Sequence, residues 1–292
     1  MRQFGQLVLD EAAAAPRLVL PAWADLPWLT HGWSTRKGGV SQGPQSSLNF
    51  GKALDSAERV DRNRQLWQQA LGIEDWPQVY LNQVHGTKVA VATHGGTVSE
   101  TDGVLTATPG LALHVVVADC LPILLLCRSP RAVGAVHAGW RGTVGGIVQQ
   151  AVQLMVTELH ISPANIEACI GPGVGSCCYL VDEPVLSAVR QMPIDWQSAV
   201  TASSAPGQSY LDLPQVNKLL LLAAGLRPEN IHLSGVCTHD DAEHFYSHRR
   251  DRGNTGRLVA TIGLIPPAKA GFTGTGREVL LQQSGNGDET SG

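Results

Sequence analysis

The chain predicts one compact globule that mixes β-strands with α-helices, and three features carry that expectation. Its hydrophobic content is 43% over 292 residues, ample for one large core and short for two independent ones. Segments 111–118 and 123–127 are apolar at nearly every position, the pattern of strands covered on both faces. Between and around them lie stretches with helical periodicity and recognisable helix ends.

In chain order, residues 18–33 are rich in Pro and Trp with little periodicity, and Ser34 to Val40 reads as a strand end followed by a glycine turn. Ser56 to Leu71 predicts a helix with a serine cap. Val60, Leu66, Trp67 and Ala70 fall near one face, and Gly72 stops it. Strands are expected at 78–81, 88–92, 111–118, 123–127 and 132–137. A glycine turn at 139–142 then leads into a long apolar helix from about Thr143 to Leu159. Beyond it the pattern gives a strand at 166–170, a loop at 171–176, helices at 182–189 and 212–224, and strands at 231–235 and 258–263. From Pro266 the composition shifts to Gly, Thr, Ser and Gln, so residues 266–292 are expected to be mostly disordered.

Charge and composition narrow the function. The net charge is −4, and the basic residues are dispersed apart from Arg249, Arg250 and Arg252, which argues against nucleic acid as a partner. Asp10 and Glu11 stand where a signal peptide needs its apolar centre. No run approaches the roughly 18 apolar residues of a membrane span. A cytoplasmic protein without a membrane partner is therefore expected. Six cysteines, two of them adjacent at Cys177 and Cys178, are too sparse for a disulfide scaffold and suit a reducing compartment.

Chemistry concentrates in three separated segments. Asn82 to Gly86, Ala118 to Pro122 and Ala135 to Gly142 each place one soft ligand at the edge of an apolar run: His85, Cys120 and His137. Two imidazoles and a thiolate would leave a tetrahedral zinc ion one open position, the arrangement of catalytic zinc. The competing reading makes His85 a loop residue, Cys120 a small core residue and His137 a satisfied strand-end histidine. Cys120 is also a candidate nucleophile with His137 or His85 as base. Arg141, at a helix start in a glycine-flanked turn, suits phosphate, or else stacks on Trp140. His239, His244 and His248 suggest a second metal site, but the intervening Phe245 and Tyr246 and the following Arg249 and Arg250 look more like the wall of a pocket. Cys127, Cys177, Cys178 and Cys237 are read as packing residues.

Several motifs together carry a resemblance: Ser47 to Gly51, Asn63-Arg64, Gln83 to Gly86, Thr101 to Val104, Ala118 to Pro122, Val136 to Gly142, Gly171 to Gly173, Cys237-Thr238 and Phe245 to Asp251. The chain resembles the YfiH-type family, whose members are called laccase-domain proteins, polyphenol oxidases or purine nucleoside phosphorylases. The resemblance implies an α+β fold, a single globular domain of mixed β-sheets flanked by helices in a layered sandwich. It covers roughly residues 28–265, after an N-terminal segment 1–27 expected to be partly ordered. It implies a catalytic zinc on His85, Cys120 and His137, copper being the alternative metal; Asn49, Arg64 and Gln83 are candidate substrate contacts, with Arg64 alternatively an exposed helix cation and Asn49 alternatively a turn residue. The implied activity is phosphorolysis of adenosine, inosine, guanosine and methylthioadenosine, together with adenosine deamination, so the expected ligands are a purine nucleoside and phosphate. Two other activities travel with the family: a peptidoglycan-precursor editing amidase using Cys120 or zinc, and a copper-dependent polyphenol oxidase. The absence of any His-x-His pair weighs against the last. A monomer is expected.

Overall fold

A computed structural model describes residues 3–13 and 15–267 of the protein. The tail expected to be disordered lies, beyond Pro267, outside the described residues. An eight-stranded sheet runs in the order Gln3–Phe4, Leu7–Asp10, Arg17–Val19, Leu29–Ser34, Leu258–Leu264, Ala112–Val117, Gln78–Leu81 and Gly96–Val98. A six-stranded sheet follows the order Ile231–Leu233, Ile166–Ile170, Leu121–Arg128, Arg131–Ala138, Gly103–Thr106 and Val89–Val91. Both are mixed. Most neighbours pair antiparallel, with parallel pairs such as 78–81 against 112–117 and 89–91 against 103–106. This is the α+β layered architecture that the resemblance implies.

Alternation along the central strands explains the layering. Ile123, Leu125 and Cys127 point into a core shared with the helices Ile147–Leu159, Glu183–Arg190 and Leu213–Ala223. Leu124 and Leu126 point the other way and meet Leu113, Val115 and Val117 of the eight-stranded sheet. On that sheet's far side, Ala112 and Val259 pack against Trp67 and Leu71 of the helix Ala57–Leu71. Each central strand is thus buried on both faces, which is why its sequence is apolar at nearly every position.

The Ala57–Leu71 helix begins and ends as its sequence predicts. The Ser56 hydroxyl accepts from the Arg59 amide, and Gly72 closes it in the left-handed conformation with φ 66°. Its buried stripe, however, is Val60, Asn63, Trp67 and Leu71, and Leu66 and Ala70 are only half-buried. Asn63 is tolerated there because its amide accepts from the Val40 amide and donates to Ser41 Oγ and the Asn49 carbonyl. The helix expected at 143–159 is two helices, Trp140–Val144 and Ile147–Leu159. Gly145-Gly146 separates them, Gly146 at φ 83°, as the weak helix propensity of a glycine pair allows. Within the N-terminal segment, Leu7, Leu9, Leu18 and Trp23 enter the inter-sheet core.

A polar chain crosses the core beneath Trp67. Its indole donates to Thr261 Oγ1 at 2.8 Å, the Thr261 hydroxyl donates to His114 Nδ1 at 2.7 Å, and His114 Nε2 donates to Gln78 Oε1 at 2.7 Å. A neutral His114 with its proton on Nε2 satisfies each member of this chain. Burial, with the positive charge of Arg64, lowers its pKa from 6.5 to about 3. An unfolded chain takes up the proton near pH 6.5 and the folded one does not until about pH 3, so stability is intact above 6.5 and falls as the pH drops through that window. Acidifying from pH 7 to 5 should therefore remove about 2 kcal/mol through His114. Urea unfolding of wild type and His114→Gln at both pH values tests this; an unchanged pH dependence in the variant would count against it.

Candidate metal centre

The candidate site forms where the chain passes from one sheet to the other. Residues 82–88 leave the eight-stranded sheet after Leu81 and enter the six-stranded sheet at Val89, and residues 118–120 do the same between Val117 and Leu121. The first crossover carries His85 and the second Cys120. His137 comes from the strand Arg131–Ala138, held next to Cys120 by the register that pairs Pro122 with His137.

The three ligand atoms lie within 4.8 Å of one another. His85 and His137 meet edge to face, their centroids 4.8 Å apart. His137 is buried, Cys120 partly buried and His85 exposed, so the trio opens to solvent on one side. A Cβ on Gly139 would stand 2.9 Å from Cys120 Sγ and 3.3 Å from His85 Cδ2. Glycine therefore keeps the space beside the thiol free.

Asp102 organises this trio. Its fully buried carboxylate accepts from the backbone amides of Val84 (3.1 Å), His85 (3.0 Å) and Gly86 (2.8 Å), and from His137 Nδ1 (2.8 Å). Convergence of three consecutive amides accounts for the positive φ of His85, 60°. Burial would raise the Asp102 pKa, and these hydrogen bonds more than offset it, so the carboxyl stays below its ordinary range. Burial likewise opposes charge on His137, yet its bonds to Asp102 and Cys120 raise it to about 9. For Cys120, desolvation is outweighed by His137 and His85, which bring the thiol down to about 6. A thiolate between imidazoles suits both a metal ligand and a nucleophile.

Asp119 plays a matching part behind Cys120. At φ 79°, it accepts from Thr238 Oγ1 at 2.7 Å, Ser247 Oγ at 3.0 Å and the Arg249 amide at 2.6 Å. Those bonds fix the loop that bears His248 and Arg249. One cleft of about 270 Å3 is lined by His85, Cys120, Trp140, Arg141, Tyr179, His248 and Arg249, among others. A second, of about 340 Å3, shares His85, Cys120 and His248 and adds Gln83, His137 and Arg257. It meets a third cleft, of about 510 Å3, through Gln83 and Arg257.

The predicted residues distribute along this path. Arg141 lines the first cleft with its guanidinium 4.3 Å from the centroid of Trp140, so it both stacks and faces the site. Gln83, Asn49 and Arg64 line the third cleft. Gln83 is held in place: its amide donates to the Val116 carbonyl and accepts from the Val116 amide, both at 2.8 Å. Asn49 is buried, donates to Gly51 O and Asp55 Oδ2, and accepts from the amides of Gly51 and Arg257, which makes it a turn residue shaping the cleft. Arg64 lies over Tyr80 and pairs with Asp61. His244 is buried against Asp241, apart from the cleft that His248 lines.

Asp102, Asp119, Arg257 and Tyr179 carried no role in the sequence, whereas Arg249 lies in the segment expected to form a pocket wall and lines the first cleft. The one available signal was position: Asp102 and Asp119 each sit at the mouth of an apolar strand, where a buried carboxylate must find partners.

Residues 30–265 match the sequence model of a family described as multi-copper polyphenol oxidoreductase laccase. A protein of Geobacillus stearothermophilus named purine nucleoside phosphorylase YlmD is 41% identical over 251 residues, covering 80% of this chain and 89% of that one. Another of Deinococcus radiodurans, named purine nucleoside phosphorylase, is 39% identical over 264 residues, 90% of this chain and 96% of that one. The crystal structure of YlmD from Geobacillus stearothermophilus superposes with a TM-score of 0.82 at 36% identity, covering 90% of this chain and all (100%) of that one.

Replacing a carboxylate that orients a ligating histidine typically weakens metal affinity about 10- to 100-fold. Asp102→Asn should therefore bind metal that much more weakly than wild type in a chelator competition. His85→Ala, Cys120→Ala and His137→Ala should lose the metal outright. Wild-type affinity in Asp102→Asn would show that the carboxylate serves the backbone alone.

Proposed function

The chain belongs to the multi-copper polyphenol oxidoreductase laccase family, and we propose that it is a zinc-dependent purine nucleoside phosphorylase. One observation carries the proposal: a His85–Cys120–His137 trio stands between a cleft with Arg141 and Arg249 and a second one leading past Gln83 and Arg257. The names of the relatives support the substrate class. The donor set suits zinc, with nitrogen from two imidazoles, a thiolate and an open side. A multi-copper centre needs more histidines than this site gathers.

Phosphorolysis joins a phosphate oxygen to the ribose C1′ as the bond to the base breaks. Positive charge develops on the sugar and negative charge on the departing base. Arg141 and Arg249 present planar guanidinium groups that match phosphate geometry, and the first cleft is the phosphate side of the proposal. The nucleoside takes the second cleft, towards Gln83 and Arg64. His248 lines both and serves as the proton carrier for the leaving base. Asp102 accepts from His137 Nδ1, which leaves Nε2 as the ligand atom and fixes the ring. When bound, zinc would supply Lewis acidity at the open position. Adenosine deamination belongs to the same proposal: water adds at the purine C6 and the 6-amino group leaves as ammonia, a reaction that makes no demand on Arg141.

The acidified thiol favours a second reading, in which Cys120 is the nucleophile of an amide hydrolase. Incubation with adenosine, inosine, guanosine and methylthioadenosine, with and without phosphate, followed by mass analysis, separates the two. Free base and ribose 1-phosphate (methylthioribose 1-phosphate from methylthioadenosine), formed only with phosphate, are expected, and no purine turnover would overturn the proposal. Arg141→Ala should lower kcat/KM for phosphate about 10- to 100-fold, the value of a charge-assisted hydrogen bond or two, and spare deamination. Cys120→Ser should abolish turnover. A covalent substrate adduct trapped on Cys120 would decide for the hydrolase.

A further inference from the structure

Behind the wall of the first cleft lies a second cluster of soft ligands. Cys177, Cys178 and Cys237, read from sequence as separate packing residues, bring their sulfurs within 4.8 Å of one another. All three are free thiols, one exposed and two partly buried. The fold assembles them by a parallel bridge between Gly173 and Cys237, with the Thr238 amide donating to Gly173 O at 2.9 Å. The Gly175 amide donates to Cys237 Sγ at 3.2 Å, and Cys177 Sγ donates to Cys178 Sγ at 3.3 Å. A Cβ on Gly175 would come within 3.1 Å of Cys237 Cβ and 3.5 Å of two of the sulfurs. The backbone is thus bent closely around the thiols. Cys177 and Cys237 open onto a cleft of about 230 Å3, separate from the His85 site.

From this geometry we propose that Cys177, Cys178 and Cys237 form a three-thiolate site for a soft monovalent metal ion, Cu(I). The cluster has sulfur donors only, and thiolates select soft ions. Structural zinc takes four protein ligands, whereas three sulfurs complete a trigonal Cu(I) site. With metal–sulfur bonds of about 2.3 Å, such a site has sulfurs about 4 Å apart. The present spacings, 3.3 Å between Cys177 Sγ and Cys178 Sγ and no more than 4.8 Å for the others, lie on either side of that value. On binding, the thiol protons pass to solvent and the copper remains Cu(I), so no oxidant is involved. The loop that carries Cys177 and Cys178 also carries Val174 and Tyr179, which line the first cleft, so the occupied site braces that wall from behind.

This proposal is independent of the phosphorolysis reading, and its test needs no substrate. Full-length protein, reduced, and zinc-loaded wherever Cys120 is intact, is titrated anaerobically with Cu(I) against the chelator bicinchoninate. Wild type and Cys120→Ser should each take up one equivalent more than Cys177→Ser/Cys237→Ser. Metal-free circular dichroism checks that the variant is folded; if it is not, Cys178→Ser replaces it in the same titration. Equal uptake by wild type and the thiol variant would overturn the proposal. So would loss of the extra equivalent in Cys120→Ser alone, or uptake of zinc in preference to Cu(I) by the same thiols.

Discussion

A buried carboxylate, that of Asp102, holds the site together. Removing an unpaired carboxylate from water is prohibitive, and four donors are needed to make this one tolerable. Three are consecutive amides of the His85 loop and the fourth is the His137 ring. The same interaction that makes the charge acceptable therefore joins two metal-ligand candidates, one on a crossover and one on a strand. It also sets the local balance of charge. An anion at Asp102 favours a protonated His137, which together with His85 acidifies Cys120. The trio is organised before any ligand arrives, so little ordering cost falls on binding.

How much of this could be read from the chain depended on the range of the interaction. The central strands were legible because burial on both faces makes them apolar at nearly every position, as at Ile123 to Cys127. Ser56 and Gly72 declared the first long helix by local capping chemistry. The short strands Gln3–Phe4, Gly96–Val98 and Val200–Ala202 have too few residues to display a period, and pairing alone makes them strands. Gly145-Gly146 breaks an apolar stretch that periodicity would run through.

The site follows the same division. His85, Cys120 and His137 stood out because soft ligands at the edges of apolar runs are chemically unusual. Asp102 and Asp119 did not, since their partners lie 16 or more residues away and only the sheet register brings them near. Asn49 and Gln83 have the right chemistry for a ligand, yet their amides are engaged with backbone groups. Polar residues beside a cleft are as often its frame as its contacts, and the sequence does not separate the two.

The location of the trio has a further consequence for how the fold tolerates function. Both crossovers between the sheets are points where the regular ladder must end, leaving amides without strand partners. The fold answers with side chains: Asp102 takes the amides of one crossover, and Gln83 pairs with Val116 as a strand residue would. Asp119, in the left-handed conformation, closes the other crossover against Thr238 and Ser247. Groups needed to complete the hydrogen bonding of the backbone are thus the ones that aim the imidazoles and the thiol. A substitution that damages one function damages the other. For this reason the crossover residues should be the hardest part of the molecule to alter, whereas the cleft arginines, which stack on Trp140 and Tyr179 and hold no ladder together, are free to set what the site binds.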